Sequence, residues 1–471
     1  MKSISMRLLS LVALLLCIAA APPDLLARAA RASGEPWRFH VVSESYGSQR
    51  GHLTQTKIDA QGDRIVTRSC SGGICSGTYQ SGSRSAIFAY NETPIPQTRP
   101  VEPRSVTLRA IASYEFTAPS FRDAGGTVEP VANDTVRVTA PGGAPLDARF
   151  DGATGLVAAV VAPGGGTIVR FEDLRRVGGL MLPFKLRRAD GTVESFEERS
   201  IDPSPLVPPA GPSATFDANG GEVALSSNGP RFPCTVETQS ATCLLDTGAS
   251  GLSMSLDLAD RLHKSPVATI ALQGLGTVLS GVVRADSLRL GGMRLGPALY
   301  AVLPDAGGFK ADVVVGADVI GRAVVRLDLH RRTIAFAPLG SPLQGTPVAL
   351  GFDGFTPTVD VRLDELGVPL AIDTGDAASI DLPVDFYREH PALFTPRERR
   401  TLIGVGGRGV QSVGRIARVG VGPFQLSDVP IGATEIPGGG PTRPRVGADF
   451  LARFVVELDY ANARLGLRKD R

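Results

Sequence analysis

Two acidic residues stand out for their placement. Asp246 follows Cys243-Leu244-Leu245 and precedes Thr247-Gly248. Asp373 follows Ala371-Ile372 and precedes Thr374-Gly375. Each apolar run reads as a buried strand, and each Asp-Thr-Gly as a tight turn that ends it. A turn alone would account for the residue types. A carboxylate held on a tight loop is also suited to general acid–base work. Two carboxylates brought within a few ångströms would share one proton, because both cannot ionise easily.

The surroundings of the two acids match. Val315–Asp328 (VGADVIGRAVVRLD) aligns with Val446–Asp459 (VGADFLARFVVELD), with nine of fourteen positions identical at an offset of 131. The acids are 127 residues apart. One Asp-Thr-Gly arises by chance in about one chain in ten of this length. Two, each followed by Val-Gly-Ala-Asp at a similar distance, mark an internal duplication. Each half carries the same coarse string. A Gly- and Pro-punctuated pair of strands precedes the acid, and a short amphipathic helix follows it (LDLADRLHK, PVDFYREH). A Gly-broken hairpin comes next, then an apolar-Gly element opening a short helix and a final strand.

On these residues the chain resembles the aspartic proteases of the retropepsin-like and pepsin-like bacterial group. The resemblance spans about 255 residues and rests on Asp246-Thr247-Gly248-Ala249, Asp373-Thr374-Gly375, Val314-Val315-Gly316 and Val446-Gly447. The last is a partial match, because Arg445 occupies its first apolar position. The resemblance implies two β-barrel lobes whose acid loops meet across a pseudo-twofold axis. It implies a peptide or protein substrate, no cofactor and no metal. One ionised acid would activate a water, and its protonated partner would hydrogen-bond the peptide carbonyl. Gly248 and Gly375 would allow close backbone approach. Thr247 and Thr374 would bond across to the opposite loop, or serve only as turn hydroxyls.

The fourth position departs from the family's usual Ser or Thr. It is Ala249 in one half and Asp376 in the other. Fewer donors to the ionised form, with an added like charge if Asp376 faces the pair, would raise the dyad's pKa. Activity is therefore expected nearer neutrality than in gastric-type relatives. Asp376 could instead point away and bind backbone N–H groups. Two glycine-rich hairpins, Leu272–Val283 and Leu402–Ile416, are candidates to cover a cleft, or else plain surface hairpins.

The bulk composition fits this reading. Gly (55) and Pro (36) are abundant, which favours short strands and tight turns. The net charge of +2 gives no reason to expect a nucleic-acid partner. Lys2 and Arg7, an apolar run, and small-x-small sites ending at Ala21 and Ala29 read as an export signal, with cleavage after Ala29 preferred. The expected location is periplasmic or secreted. Cys70, Cys75, Cys234 and Cys243 remain after the signal, and proximity favours two local disulfides, Cys70–Cys75 and Cys234–Cys243.

The expected organisation is all-β. A signal peptide (1–29) precedes an antiparallel domain (30–200), a Pro-rich linker (201–214) and two lobes (215–338 and 346–471). In the first domain, DGATGLVAAVV and FEDLRRVGGLMLPFKLRR resemble the periplasmic lipoprotein-carrier half-barrel. That domain would brace the protease or bind a lipid or apolar peptide. Gly404-x-Gly406-x-x-Gly409 matches a dinucleotide fingerprint by letter, without the strand–helix context it needs. Asp318 and Asp449 read as helix N-caps. The function expected is that of a monomeric, exported aspartic endopeptidase. The alternative is a catalytically weakened, protease-like binding protein for peptides or lipids.

Overall fold

The computed structural model describes residues 23–49, 52–218, 221–226, 229–274, 276–303, 311–405, 407–436 and 443–469. The charged and apolar leader, Cys17 included, lies outside them, as does Gly406. The chain is all-β, with a few short helices. Among the described residues no helix is long and apolar enough to cross a membrane. Contacts divide the chain into two compact units. The first gathers Met1–Cys70, Thr78–Ser85 and Pro100–Pro208; the second gathers Ser71–Gly77, Ala86–Arg99 and Pro209–Arg471.

In the first unit, seven strands from Thr127 to Ser195 pair in chain order as an antiparallel meander. Local turn chemistry sets its corners. Asp151 Oδ1 accepts from the N–H of Ala153 and Thr154, and Asp190 Oδ1 from that of Thr192. A second set of strands, His40–Gln49, His52–Gln61 and Arg64–Ser71, is also antiparallel and consecutive. Two helices, Pro23–Ser33 and Pro103–Ala112, were not foreseen in this block. The second opens on Pro103, is capped by Glu102 onto Ser105 N (2.9 Å), and buries Val106, Thr107, Ala110 and Ile111 on one face. Leu25, Leu26 and Ala29 of the first helix belong to the same core as Ile111, Phe116 and Leu146. Cleavage after Ala29, the expected position, would remove them.

The second unit is built twice over. The strand order Gln239–Leu245, Val313–Val315, Ser253–Ser255, Ala298–Leu303, Thr277–Ala285, Ala268–Gln273 recurs. Its second copy is Leu366–Ile372, Arg445–Val446, Ile380–Pro383, Phe424–Glu435, Gly407–Val421, Glu398–Gly404. In both, the strand leading to the acid runs parallel to the apolar-Gly strand, Leu244 pairing with Val314 and Ala371 with Arg445. A third sheet joins the halves through Val324–Asp328 antiparallel to Phe454–Asp459. Val324 pairs with Asp459, Arg326 with Glu457, and Asp328 with Val455. At the sequence offset of 131 this register maps onto itself when the halves are exchanged, with Arg326 and Glu457 at its centre.

One further piece of chain completes this unit. Ala86–Arg99 groups with it, inside the stretch expected to belong wholly to the first domain. Ile95 is buried in the second unit's core. Asn91 exchanges hydrogen bonds with the backbone of Leu299 (2.9 and 2.8 Å). Thr98 Oγ1 accepts from Phe352 N in the other half (3.1 Å). Cys234 and Cys243 are joined across the hairpin that leads to Asp246, with Cα atoms 5.8 Å apart. Cys70 and Cys75 are also disulfide-bonded.

Candidate active site

The same backbone bonds hold both acids at the ends of their strands. Asp246 N donates to Val315 O (3.0 Å), and Asp373 N donates to Val446 O (2.9 Å). The turn then closes in each half, Ala249 N onto Asp246 O and Asp376 N onto Asp373 O, both 3.2 Å. Gly248 N donates to Asp246 Oδ1 (2.9 Å), and Gly375 N to Asp373 Oδ1 (3.1 Å).

The two loops meet. Thr247 N donates to Thr374 Oγ1 (3.0 Å), and Thr374 N to Thr247 Oγ1 (2.9 Å). Each hydroxyl then donates onward into the opposite half, Thr247 to Ile372 O (2.6 Å) and Thr374 to Leu245 O (2.8 Å). Both threonines are fully buried, so all four bonds are shielded from water. The glycines lie against the opposite acids. A Cβ on Gly248 would sit 2.9 Å from the Asp373 carboxyl carbon, and one on Gly375 would sit 2.6 Å from that of Asp246. No side chain fits at either position.

The two carboxyl groups are neighbours, each packed against the glycine of the opposite loop. Burial raises the Asp246 pKa above the usual carboxylate range, and the neighbouring Asp373 adds to it. Burial also raises Asp373, where Arg445 opposes the shift and Asp376 reinforces it. The buried Tyr460 hydroxyl has no hydrogen-bond partner among the described residues and is held protonated by burial and by both acids. The arrangement can hold one proton between two oxygens and present one ionised oxygen to a water.

Asp376 accepts from Ala378 N through Oδ1 (2.8 Å) and places Oδ2 2.7 Å from Arg445 Nε. That contact is an ion pair without the alignment of a hydrogen bond. Arg445 also reaches Asp381 Oδ2 (2.7 Å) and stands 4.0 Å from Asp373 Oδ2. Asp381 is buried and accepts from Gln411 Nε2 and Thr434 Oγ1 as well. The two departures from the family pattern, Asp376 and Arg445, therefore face each other beside Asp373. Sequence reasoning noted each alone and missed Asp381. Setting the two halves side by side carries the signal, since Ala249 and Val314 occupy the matching positions.

Asp318 and Asp449 are not N-caps. Each lies one residue inside its helix, and the cap positions are Gly316 and Gly447, where no side chain can cap. Asp449 is exposed. Asp318 is buried, with Oδ2 accepting from Asn91 Nδ2 (2.7 Å) and Leu252 N (3.2 Å), and burial lifts its pKa to about 7. The Ala86–Arg99 segment makes this difference, and it has no counterpart in the repeat. The tips of the two glycine-rich hairpins also meet, Gly276 N donating to Val405 O (3.1 Å). Among the described residues, Leu279 and Ile403 are the large exposed apolar side chains of these hairpins nearest that contact in sequence.

Residues 232–319 match a family model described as aspartyl protease. That span holds Asp246-Thr247-Gly248 and Val314-Val315-Gly316, and ends before the second acid. No curated protein matches the chain.

Proposed function

We propose that the second unit is an aspartic endopeptidase and that the chain works in the periplasm or outside the cell. One observation carries this reading. Two carboxylates from duplicated loops are brought together, each against the opposite glycine, and the loops are tied by reciprocal threonine bonds. The ionised carboxylate takes a proton from a water while that water's oxygen attacks the peptide carbonyl carbon. The protonated carboxyl donates a hydrogen bond to the carbonyl oxygen, where negative charge develops. That carboxyl passes its proton to the oxygen to give a tetrahedral diol, which collapses as one acid protonates the amide nitrogen and the other takes a proton back from a diol hydroxyl. The C–N bond breaks, leaving a carboxylic acid and an amine, and the pair again holds one proton. Thr247 and Thr374 fix the spacing of the acids, and the meeting hairpins exclude water from the bound peptide. The disulfides support an oxidising compartment.

The test is cleavage of casein or a peptide library by the exported chain, with and without pepstatin. Pepstatin and each of Asp246→Asn and Asp373→Asn should abolish cleavage. Cleavage that survives both substitutions would end the proposal. Lipid co-purifying with a chain that cleaves nothing would instead favour a carrier role for the first unit.

A further inference from the structure

Three positions that are neutral in the first half are charged in the second. The offset of 127 sets Ala249 against Asp376, and the offset of 131 sets Val314 against Arg445. The sheet register places Ser253 beside Val314 and Asp381 beside Arg445. The three charged residues form one cluster, with Arg445 2.7 Å from both Asp376 and Asp381. Its remaining nitrogen faces Asp373 at 4.0 Å, and among the described residues no ion pair reaches Asp246. The duplication therefore built a symmetric pair of acids and then charged the surroundings of only one.

We propose that Arg445 holds Asp373 as the ionised member of the pair and leaves the shared proton on Asp246. Asp373 is then the base that takes the proton from water, and Asp246 the donor to the carbonyl oxygen. This rests on the endopeptidase reading. Arg445 touches no reacting atom; it is a positioning residue acting through Asp373. The groups facing Asp373 are Asp246 across the loop, Arg445 and Asp376 beside it, Asp381 behind Arg445, and Tyr460. An opposite charge at this range lowers a carboxyl pKa by about 1–3 units. Arg445 divides its charge among three carboxylates, so the effect on Asp373 belongs at the lower end. Asp376 and Asp381 hold the guanidinium in place beside Asp373.

The experiment is the pH profile of kcat/KM for the full chain and four variants: R445K, R445M, D376A, and the triple R445V/D376A/D381S. The triple installs the first half's own residues and leaves no charge buried alone. The acidic limb, where the pair first loses a proton, should rise by about one pH unit in R445M and by less in the triple, which also removes two like charges. R445K should keep the wild-type limb, and D376A should lower it slightly, since it removes a like charge. A second readout needs no turnover. Carboxyl 13C NMR of the aspartate-labelled chain, assigned with D246N and D373N, should show Asp373 ionising before Asp246, with that order lost in the triple. An unmoved limb in both R445M and the triple, or Asp246 ionising first in the wild type, would overturn the proposal. A chain that cleaves nothing yet shows the expected ionisation order refutes the peptidase reading and leaves the charge assignment standing.

Discussion

Gly375 bears no side chain because the place where one would begin is occupied by the opposite acid. A Cβ there would lie 2.6–2.8 Å from all three carboxyl atoms of Asp246. Those atoms cannot retreat, since Gly248 N holds Asp246 Oδ1 at 2.9 Å. Gly375→Ala should therefore part the acids while leaving the buried threonine bonds largely in place. The expected result is a fall in kcat/KM of about a hundredfold or more, the scale on which ångström misplacements act, with little change in melting temperature. Enzyme kinetics beside a thermal unfolding curve separates the two effects. At this scale the sequence was readable where residue type follows from local geometry. Asp, Thr and Gly recur because the same turn is made twice. Arg445 was harder to read, because an arginine in an apolar slot looks like a defect until its partners are known. Asp376 is 69 residues away in the chain and Asp381 is 64. No local pattern connects them.

Elements were legible where periodicity and punctuation agreed. The turns at Asp151 and Asp190 and the hairpin leading to Asp246 follow from their own residues. The helix Pro23–Ser33 was not, since its alanines and arginines adjoin an apolar leader and read as part of it. Leu25 and Leu26 are nonetheless 5% and 8% exposed, and Ala29 fully buried. Each buried leucine contributes about 1.5–3 kcal/mol. A chain beginning at Ala30 should thus be less stable by about 3 kcal/mol or more than one beginning at Pro23, seen as an earlier unfolding transition. Where the chain is exported as proposed, mass spectrometry of the mature form should find an N-terminus upstream of Leu25. A mature end at Ala30 with undiminished stability would refute the packing role of this helix.

The second unit as a whole carries its twofold relation in a strand register. Val324–Asp328 against Phe454–Asp459 is self-complementary about Arg326 and Glu457. The centre has since diverged. The Glu457 carboxylate accepts from Gln344 N and Gly345 N (both 2.7 Å), and Arg326 approaches Glu222 at 3.6 Å. A central strand pair of this kind is what two separate copies would use to dimerise, and here one chain supplies both sides. Specific activity should therefore be constant from nanomolar to micromolar protein, without the fall on dilution that a dissociating dimer shows. A steep loss on dilution, tracked by sedimentation, would contradict it. The duplication made this symmetry visible in the sequence. The unrepeated Ala86–Arg99 segment was invisible for the converse reason, having no second copy to be compared with.

That segment sets a timetable for the newborn chain. Asn91 leaves the ribosome 227 residues ahead of Asp318, the acid it must cover. At about 5–20 residues per second, the wait is roughly 10–45 s. Throughout that interval Ile95 has nowhere of its own to hide. The second unit cannot close before its last strands are translated, and whatever shields those early residues in the meantime governs how much of the chain arrives intact.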